Sequence, residues 1–205
     1  MLLNNLSIAF LVPLALAATP LGGGRWKKVE PSLNPQHCAG GQIKGDSFHL
    51  PPKANGQKVG SGCGNGHLRA EYSSEDHYNS DVHQFTGKFS INSFKGDRIS
   101  LKQTLGNKGA WFMLAADKSG SLYGVGGRGM IAQGVAKVGA TVTVNTIHDA
   151  DTGLYKVYIN GQEKYSTTSP QDVWSLRYFK RLRAIVSVCS GENCGLIPIQ
   201  GAELS

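Results

Sequence analysis

Tyr155-Lys156-Val157-Tyr158-Ile159-Asn160-Gly161-Gln162-Glu163-Lys164-Tyr165 is the stretch on which the fold turns. Apolar and polar residues alternate on both sides of Asn160-Gly161. A strand sends residues i and i+2 to one face, so alternation at period two marks half-buried strands rather than a helix. Asn-Gly is the pair that a two-residue type I′ turn prefers, because both central positions need φ > 0. The segment therefore predicts an antiparallel hairpin.

The same pattern extends outward from the hairpin. Residues 84–94 alternate, with Phe85, Phe89 and Ile91 on one side and Gln84, Lys88 and Asn92 on the other. Lys95-Gly96-Asp97 is a turn. Residues 98–105 follow as a strand in which Ile99, Leu101, Gln103 and Leu105 share a face. Residues 110–116 and 121–125 read as strands, residues 140–148 are β-branched and strand-like, and residues 178–188 return to strand. Ser169-Pro170 has the N-cap and first-turn chemistry of a short helix over 169–176. No long amphipathic helix and no internal repeat interrupts this pattern. Many short strands separated by turns predict an all-β fold, an antiparallel β-sandwich or jelly roll in a single domain.

The chain begins with an apolar run, residues 6–18, broken only by Ser7 and Pro13, and Ala15-Leu16-Ala17 supplies a small-x-small cleavage pattern. The run is too short to cross a bilayer, so residues 1–17 are expected to be a secretory signal peptide, although the preceding Met1–Asn5 carries no Lys or Arg. Residues 18–66 are rich in Gly, Pro, Asn and Lys and read as an N-terminal arm with short strands; residues 67–205 form the core, so 18–205 is one domain. No later segment suits a membrane helix. The four cysteines, in an oxidising compartment, suit two disulfides. Cys189 and Cys194 close a short loop of turn residues, which leaves Cys38 for Cys63. No CxxC and no His at ligand spacing accompanies either pair, so no metal site is expected, and no cofactor motif is present. Gly124-Val125-Gly126-Gly127-Arg128-Gly129 matches a dinucleotide fingerprint only in glycine count and reads as a turn.

The formal net charge is +7, without a long Lys/Arg run. A basic secreted chain suits an extracellular polyanion such as an acidic polysaccharide, and equally a charge that only keeps the chain soluble; the secretion signal and the lack of a recognition motif argue against nucleic acid. The polar residues set into strand-like sequence agree. Arg69 and Glu71 point together, Lys102-Gln103 lies in a second strand, and Tyr178-Phe179-Lys180 opens a third. Charged and amide groups on a sheet face form a polar cleft.

Together these segments resemble the jelly-roll polysaccharide lyases, the alginate and fungal glucuronan lyases, over about residues 69–195. Arg69-Ala70-Glu71 looks like the start of the family's Arg-x-Glu-x-Arg strand, and Gln84-Phe85-Thr86-Gly87 like the strand that follows it. Lys102-Gln103 looks like its Gln-x-His strand, and Tyr178-Phe179-Lys180 like its Tyr-Phe-Lys-x-Gly-x-Tyr strand. The resemblance implies β-elimination on a uronate polymer. Donors neutralise the carboxylate, a His or Tyr removes the adjacent proton, and a Tyr protonates the leaving oxygen. It nominates Arg69, Gln103 and Tyr178 as catalytic, and Arg69, Glu71, Gln103, Lys180, Lys102 and His83 as substrate-binding. The departures fall on the proton-transfer positions: Ser73 replaces the second Arg, Leu105 the His, Leu182 the Gly and Ala184 the last Tyr. General acid–base chemistry needs a titratable group within hydrogen-bond reach, which Leu105 and Ala184 do not supply. Tyr72, Tyr78, His77, Tyr123 and His148, with His83, are the candidate replacements. Three readings follow. The chain is a secreted, monomeric binder of a glucuronan-, alginate- or pectate-like polymer, an active lyase with replaced residues, or a secreted interaction protein on the same scaffold.

Overall fold

The computed structural model describes residues 21, 26–29, 33–45, 47–51, 53–55, 63, 68–74, 78–106, 109–168, 182–184 and 200–204. Strands are numbered in chain order, and those described form two large antiparallel sheets and one hairpin. The six-stranded sheet runs β1 (Trp26–Val29), β15 (Gln200–Leu204), β6 (Val82–Ser90), β11 (Thr141–Asp149), β12 (Leu154–Ile159) and β13 (Gln162–Thr168). The seven-stranded sheet runs β10 (Gly129–Ala132), β9 (Leu122–Gly124), β8 (Gly109–Asp117), β7 (Arg98–Gly106), β14 (Leu182–Ala184), β5 (Arg69–Ser74) and β2 (Leu33–Cys38). β3 (Gln42–Lys44) and β4 (Ser47–His49) pair with each other. Among the described residues there is no helix, and the fold is the expected antiparallel jelly-roll sandwich. The segment 169–176, expected as a short helix, lies outside the described residues.

The sheets meet through the apolar half of each alternating strand. Phe85 and Phe89 of β6, Val142 and Val144 of β11, and Tyr155, Val157 and Ile159 of β12 face Ile99, Leu101, Phe112, Leu114, Ala116 and Leu122 of the other sheet. Asn160 and Gly161 have φ of 51° and 80°, the left-handed pair of a type I′ turn, and they join β12 to β13 as the sequence predicts. Gly126, Gly127 and Gly129 also have positive φ, so the glycine-rich run is a turn between β9 and β10 rather than a nucleotide loop.

The outer side of the six-stranded sheet carries a buried amide group. Gln84, Thr86 and Asn145 are all buried there. The Gln84 amide accepts from Leu21 N at 2.7 Å and donates to Leu21 O at 2.9 Å. Asn145 Nδ2 donates to Gln84 Oε1 and to Thr86 Oγ1. A side-chain amide presents the same donor and acceptor as a peptide, so Gln84 holds Leu21 as an added strand residue would.

The β3–β4 hairpin closes one end of the sandwich. Phe48 sits in the core with its ring edge-on to Tyr72 at 5.7 Å. The Cys38–Cys63 disulfide forms as expected and fixes Cys63 to the end of β2, opposite Arg69. The Cys189–Cys194 pair lies outside the described residues. Gly41 packs directly on the Arg69 carbonyl, where a Cβ would collide with backbone. Gly41→Ala is therefore expected to lower stability by about 1–3 kcal/mol through overpacking, read as a lower urea midpoint. Gly96→Ala, with nothing near its Cβ position, is the control and should leave the midpoint unchanged.

Candidate functional site

The candidate site is the outer face of the seven-stranded sheet. Its first strand is β5, where Arg69, Glu71 and Ser73 alternate with the core-facing Ala70 and Tyr72. Arg69 Nη1 donates to Glu71 Oε1 at 3.0 Å, so the two residues the sequence pairs on one face form an ion pair. Register carries this face across the sheet. Gln36 stands opposite Glu71, and Asn34 opposite Ser73. Arg183 stands opposite both Ser73 and Gln103, which makes Ser73, Arg183 and Gln103 one cross-strand row. Directly opposed residues in an antiparallel ladder share a face, so Gln103 lies on the Arg69–Glu71 side. Beyond it come Met113, then Tyr123 and Met130.

Plain alternation from Ile99 puts Gln103 in the core with Ile99 and Leu101. A β-bulge reverses this. Ser100 pairs with Ala115 and Lys102 with Leu114, so Leu101 has no partner of its own. One extra residue inverts the alternation downstream. Ile99, Leu101, Lys102 and Thr104 turn inward, while Gln103 turns out. A second irregularity lies between Thr104 and Leu105, after which Leu105 pairs with Ala110. Leu105 is buried but does not belong to the core cluster, which agrees with an outer position beside Gln103.

The face is closed at one end and open at the other. Gln36 is 4% exposed, Glu71 1% and Ser73 3%, whereas Met130 at the far edge is 58% exposed. Tyr123 and Met113 are half-buried. A ligand on this face has its solvent side at β9–β10 and its enclosed side at β2–β5.

Two expected contacts are not on this face. Lys102 is 2% exposed and lies between the sheets. Its Nζ donates to Thr104 Oγ1 at 2.7 Å and to Tyr155 Oη at 3.1 Å, and it stands 5.2 Å from the Phe85 ring centroid. The correction follows from the register after the bulge: Lys102 pairs with the core residue Leu114, and Gln103 with Met113 on the outer side. His83 belongs to the other sheet, in the row His83–His148–Tyr155 on its inner side. It stacks on Tyr78 at 3.8 Å, and its Nε2 bonds Ser80 O at 2.7 Å. Neither residue is positioned to contact a ligand held by Arg69 and Gln103. Tyr178, Lys180 and His77 lie outside the described residues.

Lys102 is the centre of a polar group buried in the sandwich. Tyr155 Oη and Thr104 Oγ1 lie 2.9 Å apart. Trp111 meets the Tyr155 ring edge-on at 4.9 Å and stacks on His148 at 5.9 Å, with the Arg128 guanidinium 5.0 Å from the Trp111 centroid. Tyr78 Oη is 2.7 Å from His148 Nδ1. Burial lowers the Lys102 ammonium from its ordinary 10.5 to about 7. Burial, then repulsion by Lys102 and His83, lowers His148 from 6.5 to about 3. Burial raises the phenols of Tyr78 and Tyr155. Tyr78 and His148, nominated by sequence as replacement proton-transfer residues, therefore belong to the interior.

What the outer face can do follows from its donors. Arg69, oriented by Glu71, presents fixed N–H groups that suit a carboxylate, and Gln103 adds an amide. A base and an acid beside Gln103 are a different matter. Leu105 occupies the adjacent outer position. Among the described residues Tyr123 is the nearest phenol on this face; it lies two strands over and two residues along from Gln103, which sets the backbones roughly 12 Å apart. Gln36 was not singled out in the sequence: it precedes His37 in an arm without clean periodicity, and only the β2–β5 register reveals its place.

No family model matches the chain, and no curated protein matches it. Among solved structures it is similar to an alginate lyase of polysaccharide lyase family 7, at 15% identity and a TM-score of 0.49, over 84% of this chain and 74% of that one. It is similar to the alginate lyase from Corynebacterium sp. at 15% identity and a TM-score of 0.49, over 70% of each chain. A sialidase aligns over 84% of this chain at 12% identity and a TM-score of 0.50, and the chain spans 16% of that protein's length. At these identities the likeness is one of fold.

Lys102 makes stability depend on pH with a definite sign. Between about pH 7 and 10.5 the unfolded chain keeps a proton on this lysine that the folded chain has lost. Unfolding then takes up a proton, so stability rises with pH, by at most about 1.4 kcal/mol per pH unit. Lys102→Met is expected to flatten this limb in a series of denaturation midpoints from pH 7 to 10. An equal slope in the variant would show that Lys102 is charged in the fold. His148 adds a separate loss of stability as pH falls from 6.5 towards 3.

Proposed function

We propose that the chain binds an acidic, uronate-bearing polysaccharide outside the cell, through the outer face of the seven-stranded sheet, and does so without cleaving it. The observation that carries this reading is that the Arg69–Glu71 ion pair and Gln103, from strands distant in sequence, share one face, related through the row Ser73–Arg183–Gln103. An Arg held by a carboxylate keeps its remaining N–H groups in a fixed fork that suits a uronate. Gln103, two strands over and four residues along, lies roughly 16 Å away and meets a different sugar of an extended chain. The net charge of +7 favours encounter with a polyanion.

Recognition is favoured over β-elimination by the residues beside Gln103. Elimination needs a base and an acid within about 3 Å of one sugar. Among the described residues Leu105 supplies neither, and Tyr123 is too distant. In this reading the leader of residues 1–17 is removed on secretion, residues 18–205 act as one monomeric domain, and Tyr178 and Lys180 are further candidate contacts to the polymer. Glucuronan, alginate and pectate are the polymers to test.

Arg69→Ala should weaken binding to the preferred polyuronate by about ten- to a hundredfold, since a hydrogen bond to a charged group contributes about 1.5–3 kcal/mol. Titration calorimetry at two salt concentrations measures this, with binding weaker at the higher salt. Incubation with each polymer while following the ultraviolet absorbance of a new C=C bond should give no rise. A rise on any polymer would establish a lyase. Absence of saturable binding to all of them would leave the scaffold as an interaction protein.

A further inference from the structure

Two buried polar atoms at the closed end of the groove lack hydrogen-bond partners. They are Arg69 Nε and Gln36 Oε1. They are neighbours in the sheet. Gln36 stands opposite Glu71, and Arg69 is two residues before Glu71 on the same side. Diagonal positions of this kind are about 7–8 Å apart, which two long side chains span with a small group between them. The buried amides of the six-stranded sheet are satisfied. Gln84 has Leu21, Thr86 and Asn145, and Asn145 has Gln84 and Thr86. Leaving a buried donor or acceptor without a partner costs about 1–3 kcal/mol, and native structures contain few such groups. An orphan donor beside an orphan acceptor, on the face that already gathers Arg69 and Gln103, marks a place for a ligand.

We propose that Gln36 is a specificity-determining residue of this groove. Gln36 Oε1 accepts from a sugar hydroxyl, while Arg69 Nε donates to the carboxylate oxygen of the same or the adjoining sugar. The ligand class is therefore narrower than a polyanion. It is a uronate whose hydroxyl is free, and a polymer carrying an ester on that hydroxyl is rejected, because the buried acceptor then stays unpaired. A purely anionic ligand, such as a sulfate- or phosphate-rich chain without hydroxyls, answers only the Arg69 half. This inference rests on the reading of the outer face as a uronate site.

The test compares wild type, Gln36→Leu, Gln36→Met and Arg69→Ala in binding to an unmodified and an O-acetylated polyuronate, with thermal midpoints for all four. Wild type is expected to prefer the unmodified polymer by roughly three- to tenfold, the worth of one hydrogen bond. Both Gln36 variants should lose most of that preference. Their midpoints should equal or exceed that of wild type, because an orphan acceptor is replaced by apolar atoms of similar size. A Gln36 variant that keeps the preference while Arg69→Ala abolishes binding would overturn the role of Gln36 and leave the uronate site standing. A lowered midpoint with unchanged affinity would make Gln36 a structural residue and would also overturn it. No binding by wild type to either polymer would remove the uronate reading, and this inference with it.

Discussion

The extra residue in β7 is the constraint on which the rest of this molecule depends. Leu101 has no partner across the ladder, and its insertion turns Lys102 inward and Gln103 outward. Without the bulge the alternation from Ile99 would bury the Gln103 amide among Phe112, Leu114 and the aliphatic core, and would send Lys102 to the surface. Burying an unpaired amide is costly, and so is wasting a core position on an exposed lysine. The bulge instead delivers an amide to the face where Arg69 and Glu71 stand. A small irregularity thus makes one sheet serve as core wall on one side and as a polar face on the other.

Lys102 is the consequence on the inner side. Its amine crosses the sandwich to the hydroxyls of Thr104 and Tyr155, from the seven-stranded sheet to β12 of the six-stranded one. The surroundings are Phe85, Tyr155, Trp111 and His148, with no carboxylate among the causes of its shifted proton affinity. A charged ammonium there is poorly compensated, and a neutral amine that both donates and accepts fits the two hydroxyls well. The interior is therefore coupled to pH, while the outer face is held by an ion pair and by register.

Much of the fold is legible in the sequence because it rests on local rules. Asn160-Gly161 demands its turn, Phe85 and Phe89 demand an inner face, and the Arg69–Glu71 spacing demands a same-face pair. The Cys38–Cys63 bridge follows by elimination, once Cys189 and Cys194 are paired across their short loop. What stays hidden depends on inter-strand register. A bulge leaves no mark in a run such as Ile99-Ser100-Leu101-Lys102-Gln103, where each residue suits a strand equally, so Lys102 and Gln103 read as companions when they are on opposite sides. His83 reads as a groove residue because it precedes a recognisable strand, yet that strand belongs to the other sheet. Gln36 is silent in sequence, since its arm lacks periodicity, and becomes informative only when it is set opposite Glu71. Leu21 likewise has no sequence signal that foretells its place against the Gln84 amide.

The outer face of the seven-stranded sheet is exposed near Met130 and buried near Gln36. The most direct measurement is a crystal structure of the protein with a uronate tetrasaccharide. The account predicts an intact oligosaccharide on the outer face of the seven-stranded sheet, with a carboxylate within about 3 Å of Arg69 and the sugar chain leading past Gln103 towards Tyr123. Sugar bound to the six-stranded sheet, or a cleaved and unsaturated product in the groove, would contradict it.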